Sequence, residues 1–225
     1  MNYLVTLATD GTDGTRDRTG TLASLQEQCE KYNIYSERLV WDYEKLRNSH
    51  IFQAYSHIMD MDHLLGFWLW KPYIILDALH QLHENDVVCY MDSDLALNSD
   101  PKQYIKEALA DDVKLLGLPW INWKFTTSIC FNKMGMDDKE YWDINQMWGA
   151  AMFFRVCSYS MKLVTDWLVY CTNEDILYSK DEERHRWDQS VLTNLAFREG
   201  IDFSDTKDHG IFGHPSFPTY AGGYK

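Results

Sequence analysis

Two aspartates one residue apart, Asp92 and Asp94, close an apolar run in the stretch "DVVCYMDSDLAL". In an extended chain residues i and i+2 point to the same side, so this spacing predicts two carboxylates facing one point. Carboxylates that close repel one another unless a cation lies between them or one of them holds a proton. A divalent ion with oxygen ligands, Mg2+ or Mn2+, resolves that conflict and leaves open positions for substrate phosphates. The same tripeptide also reads as an Asx-turn at a strand end. The spacing therefore leaves two readings open, a metal–diphosphate site or a turn.

Other residues with chemical potential lie far off in the sequence. "RHRWDQS" puts His185, Arg186 and Asp188 at a loop-to-helix junction, where Asp188 reads as a general base, a hydroxyl anchor or a helix cap. His209 and His214 stand in the irregular stretch "DHGIFGHPSFP", and either imidazole suits a metal already held by acidic ligands. Lys71 falls in the first turn of a predicted helix, where a cation opposes the macrodipole and an anion nearby would compensate it. Gly149, Ala150 and Ala151 open a predicted strand with small side chains, which admit a ligand close to the backbone or ease packing. Trp120, Trp123 and Trp148 offer ring faces for stacking on a ligand or for ordinary core packing.

Positioning these groups falls to alternating strands and helices. Strands are predicted over 3–9, at "SERLVW", over 86–91, at "VKLLGL" and over 149–156. Helices are predicted at "TLASLQEQCEKY", "FWLWKPYIILDALHQLH", 101–110, "SYSMKLVTDWLVYC" and in the segment that ends at Gly200. The aromatic middle, 119–148, and the tail from residue 209 read as irregular. Such alternation implies an α/β fold with a mostly parallel central sheet flanked by helices. Ligands in such sheets gather beyond the carboxyl ends of the strands, where Asp92 and Asp94 emerge.

The 225 residues read as one domain, 1–225, with enough chain to bury a core unaided. A formal net charge of −13 without a basic stripe repels a phosphate backbone, which excludes nucleic acid as a partner. Five scattered cysteines without CxxC spacing point to buried thiols in a reducing compartment. The N-terminus has no signal-peptide pattern and no stretch of apolar residues is long enough to span a membrane. The expectation is a cytoplasmic chain, or a domain cut from a longer one.

Taken in order, "VTLATDG", "FWLWKPYIILDAL", "VVCYMDSD", "WGAAMFFR" and "HRWDQSVL" resemble the motif series of GT-A glycosyltransferases, the nucleotide-diphospho-sugar transferases with a DxD motif. More narrowly, the chain resembles the N-terminal glycosyltransferase domain of a multidomain chlorella-virus capsid-glycan protein, which would place it in a host cytoplasm. The resemblance implies a Rossmann-like GT-A fold and transfer of a hexose or deoxyhexose, glucose or rhamnose favoured, from a UDP-sugar to a glycan acceptor. It implies Mn2+ or Mg2+ held directly by Asp94, with Asp92 reaching the ion through water or holding the ribose, and His214 or His209 completing the site. It implies a uridine pocket lined by Thr6, Leu7, Ala8 and Thr9, donor contacts from Lys71, Gly149 and Ala150, and Asp188 as base if the reaction inverts the anomeric centre, while retention or inversion stays open. Two rivals remain. A haloacid-dehalogenase-like phosphatase also carries DxD after an apolar strand, but it wants Thr or Val where Ala96 stands and usually places the motif on its first strand. A non-catalytic nucleotide- or carbohydrate-binding module is the other.

Overall fold

The strands β1 (Asn2–Leu7), β2 (Glu37–Trp41) and β3 (Val87–Met91) run parallel, with β1 between the other two. The computed structural model that shows this describes residues 1–11, 16–61, 64–178, 184–204 and 211–213. After β3 come a two-residue strand β4 (Ala96–Leu97), then β5 (Val113–Ile121) and β6 (Asn145–Arg155). β6 lies antiparallel between β3 and β5, giving the sheet order β2-β1-β3-β6-β5. Four of the five strands therefore share one direction, and their carboxyl ends lie along one edge. A last strand, β7 (Phe212–Gly213), pairs antiparallel with β4, Ala96 opposite Gly213.

Helices cover both faces. On one side α1 (Thr19–Tyr32) and a helix after β4, α3 (Lys102–Asp111), bury Leu25, Cys29, Tyr104, Ile105 and Ala108 against Val87, Cys89 and Met91. On the other, α2 (Trp70–Gln81), α4 (Ser158–Cys171) and α5 (Trp187–Arg198) pack on Val88 and Tyr90. Successive β3 residues thus serve opposite faces, and a strand covered on both faces reads as the unbroken apolar run seen in the sequence.

The aromatic middle departs from its irregular reading. Residues Ser128–Met134 form a helix capped by Thr127, whose Oγ1 accepts from Cys130 N at 3.1 Å, and Gly135 ends it with φ 68°. A further turn, Lys139–Trp142, follows. β6 also begins at Asn145, four residues before its expected start, because Met147 and Asn145 pair with Gly117 and Ile121 across the sheet. Part of the tail is likewise a strand, β7, and its pairing beside β4 brings it to the segment after Asp94. Long-range pairing of this kind leaves little local signal in sequence. Among the described residues no helix is long and apolar enough to cross a membrane.

Candidate functional site

At the end of β3 the backbone turns. Asp92 N still donates to Ala150 O at 2.8 Å, but Leu95 N donates back to Asp92 O at 3.0 Å, closing a turn over Ser93 and Asp94. The extended i, i+2 geometry expected for the two carboxylates is therefore replaced by a turn. Both side chains stay at the same strand end, each beside a protein cation. Lys71 Nζ lies 3.2 Å from Asp92 Oδ1, which also accepts from the Tyr90 hydroxyl. Asp94, itself buried, forms an ion pair with Arg18.

Lys71 is the anchor of this arrangement. It is the second residue of α2 and is only 4% exposed, so its charge requires partners. Besides Asp92 it has the carbonyl of Gly149, to which Nζ donates at 2.9 Å. The anion that a cation at a helix start calls for is thus the first aspartate of the pair. The Tyr90 hydroxyl has its pKa pushed well above the usual phenol range by burial, and next by the charge of Asp92, so it stays a donor.

Asp188 is the second residue of α5, with Arg186 in the cap position, and is 3% exposed. Its Oδ2 is buried without a hydrogen-bond partner among the described residues. Burial raises its pKa to about 7 and the charge of Asp92 pushes the same way, against the pull of Lys71 and the Gln189 N–H. A buried acid that ionises near neutrality suits proton transfer. His185, three residues earlier, is different. Its Nδ1 accepts from Thr127 N at 3.3 Å and its Nε2 faces Ile176 O at 3.0 Å, while burial lowers its pKa to about 4. That imidazole is neutral and ties loops together.

The expected uridine stretch ends β1. Thr6, Leu7, Ala8 and Thr9 are all buried, Ala8 N donates to Trp41 O at 2.9 Å and Thr9 Oγ1 to Arg16 O at 2.6 Å. Thr6 Oγ1 is buried without a partner among the described residues, a second orphaned polar atom near this edge. Gly149 and Ala150 are tied by main-chain bonds, and a Cβ on Gly149 would come within 3.4 Å of Gln189 Oε1. Its small size admits Gln189, whose Oε1 accepts from Gly149 N at 3.1 Å. His209 and His214 lie outside the described residues. Among the described residues no group of three or more His, Cys, Asp or Glu could hold a metal. Asp92 and Asp94 supply two hard oxygen donors, the kind Mg2+ and Mn2+ take, so the residues present fit such an ion in type.

Sequence reasoning missed the polar network that fixes α5. Its inner side carries buried Ser190, Thr193 and Asn194 with half-buried Gln189 beside them. Gln189 Nε2 donates to Gln146 Oε1 at 2.7 Å, and Gln146 Nε2 donates to Asn122 Oδ1 at 3.0 Å and Ser190 Oγ at 3.2 Å. Asn122 Nδ2 donates in turn to Asn194 Oδ1 at 2.8 Å. Buried amides are tolerated only when paired, and paired they fix one arrangement. A continuous hydrogen-bonded chain therefore runs from Asn122 through Gln146, Gln189, Gly149 and Lys71 to Asp92. The signal for it was a helix with polar residues on the face expected to be apolar.

Backbone strain gathers here too. Leu65, Gly66, Phe67 and Trp68 all have left-handed φ between 55° and 71°, and Trp187 has φ 46°. Left-handed non-glycine residues cost about 1 kcal/mol or more each and persist only where packing compels them. Trp68 and Phe67 lie 5.1 and 6.0 Å from the Trp187 ring, and Phe67 stacks on Tyr178 at 4.5 Å. These contacts clamp the residue that precedes Asp188. Of the three candidate stacking tryptophans, Trp120 stacks on Phe125 with Arg186 above both rings, and Trp148 packs edge-on to Phe212. Trp123 alone of the three is largely exposed, at 55%.

No family model and no curated protein matches the sequence. Solved structures do match in fold. The bifunctional glycosyltransferase WbbM aligns with a TM-score of 0.50 at 11% identity over 85% of this chain, which spans 36% of the WbbM chain. Mouse xyloside xylosyltransferase 1 aligns at 0.49 and 8% identity, covering 91% of this chain and 85% of that one. Galactosyltransferase LgtC, solved with donor and acceptor sugar analogues, aligns at 0.48 and 14% identity over 87% of this chain and 70% of that one. At such identities the likeness speaks to architecture alone. The chain has the fold of GT-A glycosyltransferases, a mostly parallel sheet flanked by helices, with Asp92, Asp94 and Lys71 gathered at the carboxyl end of a central strand.

Proposed function

We propose that the chain is a metal-dependent glycosyltransferase that moves a hexose or deoxyhexose, glucose or rhamnose favoured, from a UDP-sugar to a glycan hydroxyl. The carrying observation is Asp188, a buried acid with an unpartnered oxygen and a pKa near 7, beside the Lys71–Asp92 pair at the carboxyl edge of the sheet. The likeness to a chlorella-virus glycan enzyme rests on the sequence motifs.

In this reading Asp94 would hold Mn2+ or Mg2+ directly, and Asp92, which keeps Lys71, would reach the ion through water or hold the ribose. His214, which follows Gly213 in the chain, or His209 would complete the ligand set. The bound ion supplies charge neutralisation for the diphosphate that leaves. Thr6, Leu7, Ala8 and Thr9 form the floor of the nucleoside pocket, where Thr6 Oγ1 has a hydrogen bond to give. Gly149 and Ala150 set the depth at which the donor sugar lies, and Lys71 adds positive charge next to it. Asp188 accepts the proton of the acceptor hydroxyl as that oxygen bonds to the anomeric carbon. The carbon–oxygen bond to the diphosphate breaks in the same step, and UDP leaves with the bonding pair. Exposed Trp123 offers an acceptor sugar a ring face.

Incubation with Mn2+ and a panel of UDP-, GDP- and dTDP-sugars tests this. Release of UDP from a UDP-hexose, dependent on the cation, is the expected result. Hydrolysis of an aryl phosphate without any nucleotide-sugar turnover would favour the phosphatase alternative instead.

A further inference from the structure

The sequence did not single out Arg18, yet its guanidinium sits on Asp94. The main chain around it is fixed beside the end of β1. Arg18 N donates to Thr9 O at 2.7 Å, Thr21 Oγ1 donates to Arg18 O at 2.9 Å, and Thr9 Oγ1 donates to Arg16 O at 2.6 Å. Only the side chain is left to move. Asp94 is 7% exposed at its side chain, and a carboxylate so buried keeps its charge only beside a cation. A divalent ion can therefore take Asp94 only if Arg18 gives it up. Lys71 cannot make the matching exchange at Asp92, being buried and held by Gly149 O as well. Arg18, with a quarter of its side chain exposed, has room to swing, and its planar fork of donors fits phosphate oxygens.

We propose that Arg18 changes partner on substrate binding: it neutralises Asp94 in the free protein and passes to the diphosphate of the nucleotide when a divalent cation takes Asp94. This rests on the metal–diphosphate reading given above. Cation and nucleotide then bind cooperatively, each preparing the site for the other by the same factor. The cation alone meets an occupied carboxylate, and the nucleotide alone leaves the Arg18–Asp94 pair to be broken without compensation.

The test is Mn2+ titration of the whole chain, followed by the electron paramagnetic resonance signal of free Mn2+, with and without UDP. Wild type is expected to bind Mn2+ weakly alone and about tenfold or more tightly with UDP. Arg18→Gln exposes Asp94 to the metal, so Mn2+ alone should bind about tenfold tighter than in wild type, and UDP should add little. Arg18→Lys retains a cation and should resemble wild type with Mn2+ alone, which separates charge from structural disturbance. If UDP promotes Mn2+ binding in wild type but Arg18→Gln binds Mn2+ alone no better, the partner exchange is wrong. If wild type shows no UDP-dependent Mn2+ binding, the site reading itself falls, and the exchange with it.

Discussion

Asp188→Asn is expected to lower sugar transfer by roughly 10²- to 10⁴-fold, the usual worth of a positioned general base, while UDP and Mn2+ still bind. Asparagine keeps the shape and the oxygen that meets the Gln189 N–H but cannot take a proton. In wild type the base must be ionised, so turnover should climb as pH rises through about 7, and that limb should vanish in the variant. Stability should move the other way. The folded protein holds the Asp188 proton up to about pH 7, whereas the unfolded chain releases it near 3.8, the ordinary value for an aspartate. The stabilisation from this group is therefore complete below about pH 4 and is lost as pH rises to about 7, on the order of a few kcal/mol. Asparagine, neutral throughout, escapes that loss, so the variant should melt higher than wild type at pH 8. A variant that retains full turnover would remove Asp188 from the chemistry.

Lys71→Met carries the second large effect. The substitution keeps an unbranched stem out to Cε but leaves Asp92 without its buried cation and Gly149 O without its donor. Breaking a fully buried pair from one side costs about 3–5 kcal/mol. With the Asp92 side chain 24% exposed the lower end, about 3 kcal/mol, is expected, which for a chain of this size lowers the melting temperature by roughly 5–10 °C. Lys71 also restrains the proton affinity of Asp188. Its loss should carry the rising limb of the pH–rate profile to higher pH in whatever activity persists. Circular dichroism melts and a pH series read the two consequences separately. Melting within about one degree of wild type would show that Lys71 Nζ is solvated and the Asp92 contact incidental.

Legibility followed the range of the interactions. Strand β3 and its abrupt end at Asp92 were readable because an apolar run covered on both faces has no periodic gaps and stops at charge. The extended geometry read for the two carboxylates, however, gave way to a turn closed by Leu95 N. Helix α2 was readable from its apolar spacing, and Lys71 from its conflict with the helix start. The early start of β6 was not, since Asn145 and Met147 join the sheet through partners 24 and 30 residues away. Asp188 stood out by its neighbours, but the network behind it did not. Gln146 and Asn122 look like loop polarity until the fold places them under α5. Arg18 was invisible for the same reason: a loop arginine has no face or period, and its partner lies 76 residues on.

Isothermal titration of UDP in the presence of Mn2+, comparing wild type with Asp94→Ala, goes to the centre of the account. Saturable UDP binding that requires Mn2+ in wild type, and its loss in a variant whose circular dichroism spectrum is unchanged, is the predicted result. Equal UDP affinity in the two proteins, or binding indifferent to the cation, would contradict it.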